Sequence, residues 1–218
     1  NPEDRADLLR QGIIEDPSKV VMTAGSGVDL EAFPSRELPE RPVFLMLARL
    51  LVAKGVRDYL EAAELVKAAC PDAVLRIAGM EDPGSGGVPM SLLREYEARG
   101  CIEYLGELED VGPALAECTT FVLPSYYGEG TPRSALEAMA VGRPIITTES
   151  RGCRETVPDG GNGILVPPRS PGRLAEATIV LSRDAGLRGR MGRESRRLAE
   201  TRFDADAVAR DILDALDL

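Results

Sequence analysis

Short apolar runs alternate with longer amphipathic stretches along most of this 218-residue chain. That alternation predicts an α/β fold, a three-layer parallel sheet with helices on both faces. Strands are expected at 20–23, 43–48, 73–78, 101–105, 120–123, 143–147 and 163–166. Helices are expected at 2–12, 55–69, 89–99, 110–117, 132–141, 171–182, 184–200 and 204–217. In the stretch 55–69 the apolar positions Val56, Tyr59, Leu60, Ala63 and Val66 follow the stripe of a half-buried helix. The run Val43 to Ala48 is apolar throughout, as a strand covered on both faces must be.

Composition narrows the chemistry. The chain contains no histidine, which removes the usual neutral-pH base, the Ser-His-Asp and Cys-His arrangements and the commonest metal ligand. Its four cysteines, Cys70, Cys101, Cys118 and Cys153, lie far apart without a C-x-x-C pair, so a zinc site is not expected and a reducing compartment is. A net charge of -10 argues against nucleic acid as a partner. No apolar run approaches the length of a membrane span, and the opening Asn1-Pro2-Glu3-Asp4-Arg5 is a helix start rather than a signal peptide. The absence of an initiator methionine is expected of a fragment. G-x-G-x-x-G, the P-loop and the G-x-S-x-G elbow are all missing.

Counted from residue 43, a sheet wound 3-2-1-4-5-6 makes the strands at 43–48 and 120–123 neighbours at a topological switch point, where open α/β sheets bind ligands. The first of the two loops there carries Arg49 and Lys54; the second carries Glu129, Gly130 and Thr131. Thr131-Pro132-Arg133-Ser134 reads as a helix start, with Thr131 as the capping residue and Pro132 in the first helical position. A helix N-terminus flanked by two cations favours an anion, most simply a diphosphate. Glu129 and Glu137 can face the same crevice, where a carboxylate accepts a pair of hydrogen bonds from vicinal hydroxyls.

At these residues the sequence resembles the C-terminal, donor-binding domain of the retaining GT-B glycosyltransferases of group 1. Glu129-Gly130-Thr131-Pro132-Arg133-Ser134-Ala135-Leu136-Glu137 is similar to the family's pair of glutamates separated by seven residues. Ala48-Arg49-Leu50 through Lys54-Gly55 is similar to its Gly-Arg-Leu-x-x-x-Lys-Gly element, with Ala48 in place of glycine. Gly27-Val28-Asp29 with Phe33, Ala78-Gly79, Tyr104-Leu105-Gly106 and the segment from Gly161 to Pro168 extend the likeness over nearly the whole chain.

The resemblance implies a Rossmann-like half of a GT-B fold. By it, Arg49 and Lys54 hold the donor diphosphate, Glu137 accepts from the ribose, and Glu129 with the backbone of Gly130, Thr131 and Pro132 meets the donor sugar. Leu108 packs on the base, and no metal or other cofactor is needed. It further implies that residues 1–18 are the tail of an N-terminal domain or the hinge, 19–183 the donor domain, and 184–218 the C-terminal helices. The partners are a nucleoside-diphosphate sugar, favoured as a UDP-sugar, and the N-terminal GT-B domain that this chain lacks. The full-length enzyme is expected in the cytoplasm, with room for peripheral association at the inner face of the membrane. Alone, the fragment is expected to bind donor without efficient transfer. Two alternatives share the fold: a UDP-sugar 2-epimerase, whose Ser-Gly-Gly turn is not matched at Gly128-Glu129-Gly130-Thr131, and a non-catalytic nucleotide-binding module.

Overall fold

The computed structural model describes residues 2–17, 20–128 and 130–215. Six parallel strands, β1 (Val43–Leu47), β2 (Val74–Ala78), β3 (Glu103–Tyr104), β4 (Thr120–Leu123), β5 (Ile145–Thr148) and β6 (Gly163–Val166), form one sheet in the order β3-β2-β1-β4-β5-β6. Among the described residues eight α-helices accompany them: α1 (Pro2–Arg10), α2 (Val56–Ala69), α3 (Met90–Ala98), α4 (Gly112–Glu117), α5 (Arg133–Ala140), α6 (Pro171–Arg183), α7 (Ala185–Arg202) and α8 (Ala205–Ala215). This is the Rossmann-like three-layer arrangement that the alternation of apolar runs predicts.

The period-two geometry of β1 explains its unbroken apolar run. Phe44 and Met46 enter one core with Leu60, Ala63 and Val66 of α2 and Leu174 and Leu181 of α6. Val43, Leu45 and Leu47 enter the other with Leu136 and Met139 of α5 and Leu198 and Ala199 of α7. Phe44, Leu45 and Met46 are completely buried, each worth about 1.5–3 kcal/mol relative to exposure. No described helix is long and apolar enough to cross a membrane.

Three expectations need correction. Residues 20–23 are not a strand, and Val21 and Met22 are exposed, because no neighbouring strand takes up their backbone groups. β3 is reduced to two residues at the sheet edge. β5 starts at Ile145 rather than 143, because Pro144 has no amide to donate and the Arg143 side chain is committed elsewhere. That guanidinium is buried and donates to the carbonyls of Glu37 at 3.1 Å and Ala116 at 3.2 Å.

Candidate functional site

Two glycines bring the strand ends together. Gly79, just past β2, has φ +151°, and a Cβ there would fall 1.8 Å from the Ala48 carbonyl oxygen. Gly55 follows the 3-10 turn Val52–Lys54 and has φ +79°; its Cβ would lie 2.2 Å from the Pro124 oxygen. Only glycine permits both approaches. The Tyr126 amide donates to the Ala53 carbonyl at 2.9 Å, which ties the loop after β4 to the loop after β1. The glycine following Lys54 is thus a steric requirement of the switch point, and it sets where Lys54 stands.

A cleft of about 360 Å³ opens at the carboxyl ends of β1 and β4. Arg49, Lys54, Leu108 and Pro132 line it together, as do Gly79, Glu107, Arg133 and Ser134. Arg133, Ser134 and Glu107 were not singled out from sequence as site residues; Arg133 four residues before Glu137 at a helix start was the available signal. A wider hollow of about 520 Å³ borders Gly142 and α7. It lies by the segment entering β5, away from the strand ends where such sheets bind ligands.

The start of α5 differs by one residue from expectation. Pro132, not Thr131, is the capping residue, with φ −65° and ψ 120° and no side-chain cap. The Ala135 amide donates to the Pro132 carbonyl at 3.1 Å, so the amides of Arg133 and Ser134 lie ahead of the first intrahelical bonds. Thr131 is turned away from the cleft: its side chain abuts Gly25, and it lines a separate hollow with Met22, Thr23, Ala24, Glu155, Arg202 and Phe203. Gly130 is exposed and is not among the cleft-lining residues. Glu129 lies outside the described residues.

The cations of the cleft have partners. Arg49, half exposed, holds Nη1 3.4 Å from Asp82 Oδ2, and Lys54 Nζ sits 5.1 Å above the centre of the Tyr127 ring. The carboxylate of Glu137 accepts from Arg133 Nε at 3.0 Å, although Glu137 is not in the cleft lining. Burial raises the Glu137 carboxyl above its ordinary value, and the adjacent Arg133 opposes that rise. Among the described residues no cluster of three His, Cys, Asp or Glu side chains could hold a metal ion.

A parallel sheet with a cationic cleft and a helix N-terminus at its switch point is the arrangement in which open α/β sheets hold anionic ligands. The chain belongs to the glycosyl transferases group 1 family, whose model matches residues 41–184. It is 28% identical to the N,N'-diacetylbacillosaminyl-diphospho-undecaprenol alpha-1,3-N-acetylgalactosaminyltransferase of Campylobacter jejuni, over 99% of this chain and 58% of that protein. Sucrose-phosphate synthase from Thermosynechococcus elongatus superimposes with a TM-score of 0.82 at 26% identity, over 100% of this chain and 56% of the other. The C-terminal domain of a group 1 glycosyl transferase, LpcC of Francisella tularensis, superimposes with a TM-score of 0.72 at 25% identity, over 82% of this chain and 99% of that domain. Anabaena HepE in complex with UDP-glucose shares the fold, with a TM-score of 0.75 at 21% identity over 88% of this chain and 56% of that one. The chain spans between half and three fifths of the longer proteins among these.

Proposed function

We propose that this chain is the donor-binding domain of a retaining glycosyltransferase that takes a nucleoside-diphosphate sugar, preferentially a UDP-sugar, and transfers a hexose or N-acetylhexosamine to a glycan or lipid-linked acceptor. Residues 19–183 form the donor unit, 184–218 the C-terminal helices, and 1–18 the approach from the N-terminal half. The observation that carries the reading is the convergence of Arg49, Lys54 and the first amides of α5 on one cleft.

The geometry fits departure of a diphosphate. As the bond between the sugar's anomeric carbon and the β-phosphate oxygen breaks, the electron pair stays with the diphosphate. The acceptor oxygen forms the new bond to that carbon, and its proton passes to the departing diphosphate oxygen. Arg49 and Lys54, with the positive end of α5, stabilise the growing charge, the part a divalent metal plays elsewhere. Glu137 takes the ribose hydroxyls by trading its bond from Arg133, and Leu108 offers an apolar face to the base. Glu129 with the backbone of Gly130, Thr131 and Pro132 meets the sugar. HepE, which shares the fold, is known in complex with UDP-glucose, which supports a uridine donor. The named α-1,3 linkage of the Campylobacter relative supports retention, since nucleotide sugars of the common hexoses are themselves α-linked, and its diphospho-undecaprenol supports a lipid-linked acceptor.

Titration calorimetry with UDP, GDP and ADP tests the donor site. One of the three is expected to bind, unaffected by EDTA, and Arg49→Ala is expected to weaken it by about 10- to 100-fold, the worth of a charge-assisted hydrogen bond. Glu137→Ala should weaken it as well. No binding of any of them at millimolar concentration overturns the assignment. Anomeric analysis of the product formed by the full-length enzyme tests retention.

A further inference from the structure

We infer that Asp82 is a positioning residue for the diphosphate: it holds the Arg49 guanidinium by one edge, leaving the other free for phosphate oxygens. The inference rests on the donor-site reading above and adds to it a residue on a different loop.

Asp82 belongs to a loop clipped onto the backbone that carries Arg49. The Leu50 amide donates to the Met80 carbonyl at 2.9 Å, the Val52 amide to the Gly86 carbonyl at 2.9 Å, and the Val88 amide to the Leu50 carbonyl at 2.7 Å. Short bridges pair Leu50 with Glu81 and Leu51 with Gly87. Within the loop, Asp82 Oδ1 accepts from the Gly84 amide at 2.9 Å, and a Cβ on Gly87 would fall 2.0 Å from the Asp82 carbonyl oxygen. One carboxylate oxygen is therefore committed to the turn, and the other, Oδ2, faces Arg49 Nη1 at 3.4 Å.

The two partners are unequal. Asp82 is fixed by its turn and its side chain is 23% exposed, whereas that of Arg49 is 50% exposed on a long flexible stem. A fixed carboxylate beside a mobile guanidinium restricts where that guanidinium spends its time. Arginine presents its donors in a rigid fork, so one edge meets a carboxylate while the other meets a phosphate. Restricting the side chain before the ligand arrives lowers the entropy lost on binding.

The test is UDP binding to the 218-residue chain with Asp82→Ala, Asp82→Asn and Asp82→Ser, each also combined with Arg49→Ala. Asp82→Ala is expected to weaken UDP by about three- to tenfold. Asn, whose single side-chain oxygen is taken by the Gly84 amide and whose NH2 then faces the Arg49 donors, should lose as much as Ala. Ser keeps a bond to the Gly84 amide but does not reach Arg49, so it should match Ala while preserving the turn. In the Arg49→Ala background all three should have no further effect, and none should change the binding of uridine, which has no phosphate. Unchanged or tighter UDP binding in Asp82→Ser overturns the inference, as does an equal loss with Arg49 absent. If the unaltered chain binds no nucleoside diphosphate, the donor-site reading itself fails instead.

Discussion

Arg133 Nε donates to the Glu137 carboxylate at 3.0 Å across one turn of α5, so the carboxylate that the donor reading assigns to the ribose already has a partner. That carboxylate is 12% exposed, against 77% for Arg133. On the donor reading, a ribose hydroxyl at Glu137 replaces the hydrogen bond from the exposed Arg133 side chain.

Glu137→Gln should make the ligand-free chain more stable at neutral pH. Burial raises the Glu137 carboxyl, so the fold binds its proton more tightly than the unfolded chain does, and ionisation works against folding. That cost is fully present above the raised folded value and vanishes below the unfolded glutamate value of about 4.3. Thermal unfolding of the glutamine variant should therefore exceed the parent at pH 7 and converge with it near pH 4. Nucleotide binding should weaken in the same variant.

Gly55→Ala should destabilise the chain by about 2–5 kcal/mol, from a left-handed backbone and a collision with the Pro124 carbonyl. Gly100 has a similar φ of +70° with nothing near its missing Cβ, so Gly100→Ala should cost only about 1–2 kcal/mol. Urea denaturation of the pair separates conformation from close approach. Equal losses would show that the Gly55 contact is not a constraint.

Helix α1 is held by charge. Arg151 meets Glu3 at 2.8 Å as well as Asp4 and Asp7, and Arg154 meets Glu3 at 3.0 Å. Arg151, followed by Arg10, lowers the Asp7 carboxyl, so its pairing stabilises the docked helix above the ordinary aspartate value and is lost as pH falls through the lowered one. Arg151→Ala, or about 1 M salt, should accelerate tryptic cleavage after Arg10. Titrated by NMR, the α1 amides should shift only at acid pH.

The thiols should react unequally. Cys101, Cys118 and Cys153 are buried whereas Cys70 is partly exposed, and burial pushes the Cys118 thiol up to about 12. A thiol reagent at pH 8 should modify Cys70 alone in the folded chain and all four in urea. Rapid reaction of Cys118 under native conditions would contradict its environment.

Strand periodicity and the punctuation of glycine and proline are local properties, which is why the succession of strands and helices from residue 43 onward is legible in the sequence, whereas the order β3-β2-β1-β4-β5-β6 belongs to the doubly wound class and to no local signal. The meeting of Arg49 with Lys54 was legible as a local property too, since both sit on one short loop leaving β1. Residues 20–23 show the limit of such reading: a β-prone run becomes a strand only beside another strand, and there is none beside it. Thr131 shows a second limit, because a one-residue shift in the start of α5 turned its side chain from the cleft toward Gly25.

By itself the sequence determined the layered fold, the crevice and the cations that give the cleft its sign. Tertiary structure alone decided how those cations are held: Asp82 reaches Arg49 across a separation of 33 residues because the loops after β1 and β2 are hydrogen-bonded to each other. Periodicity describes neighbours along the chain, whereas charge pairing depends on distance in space, and that distance exists only once the sheet has formed.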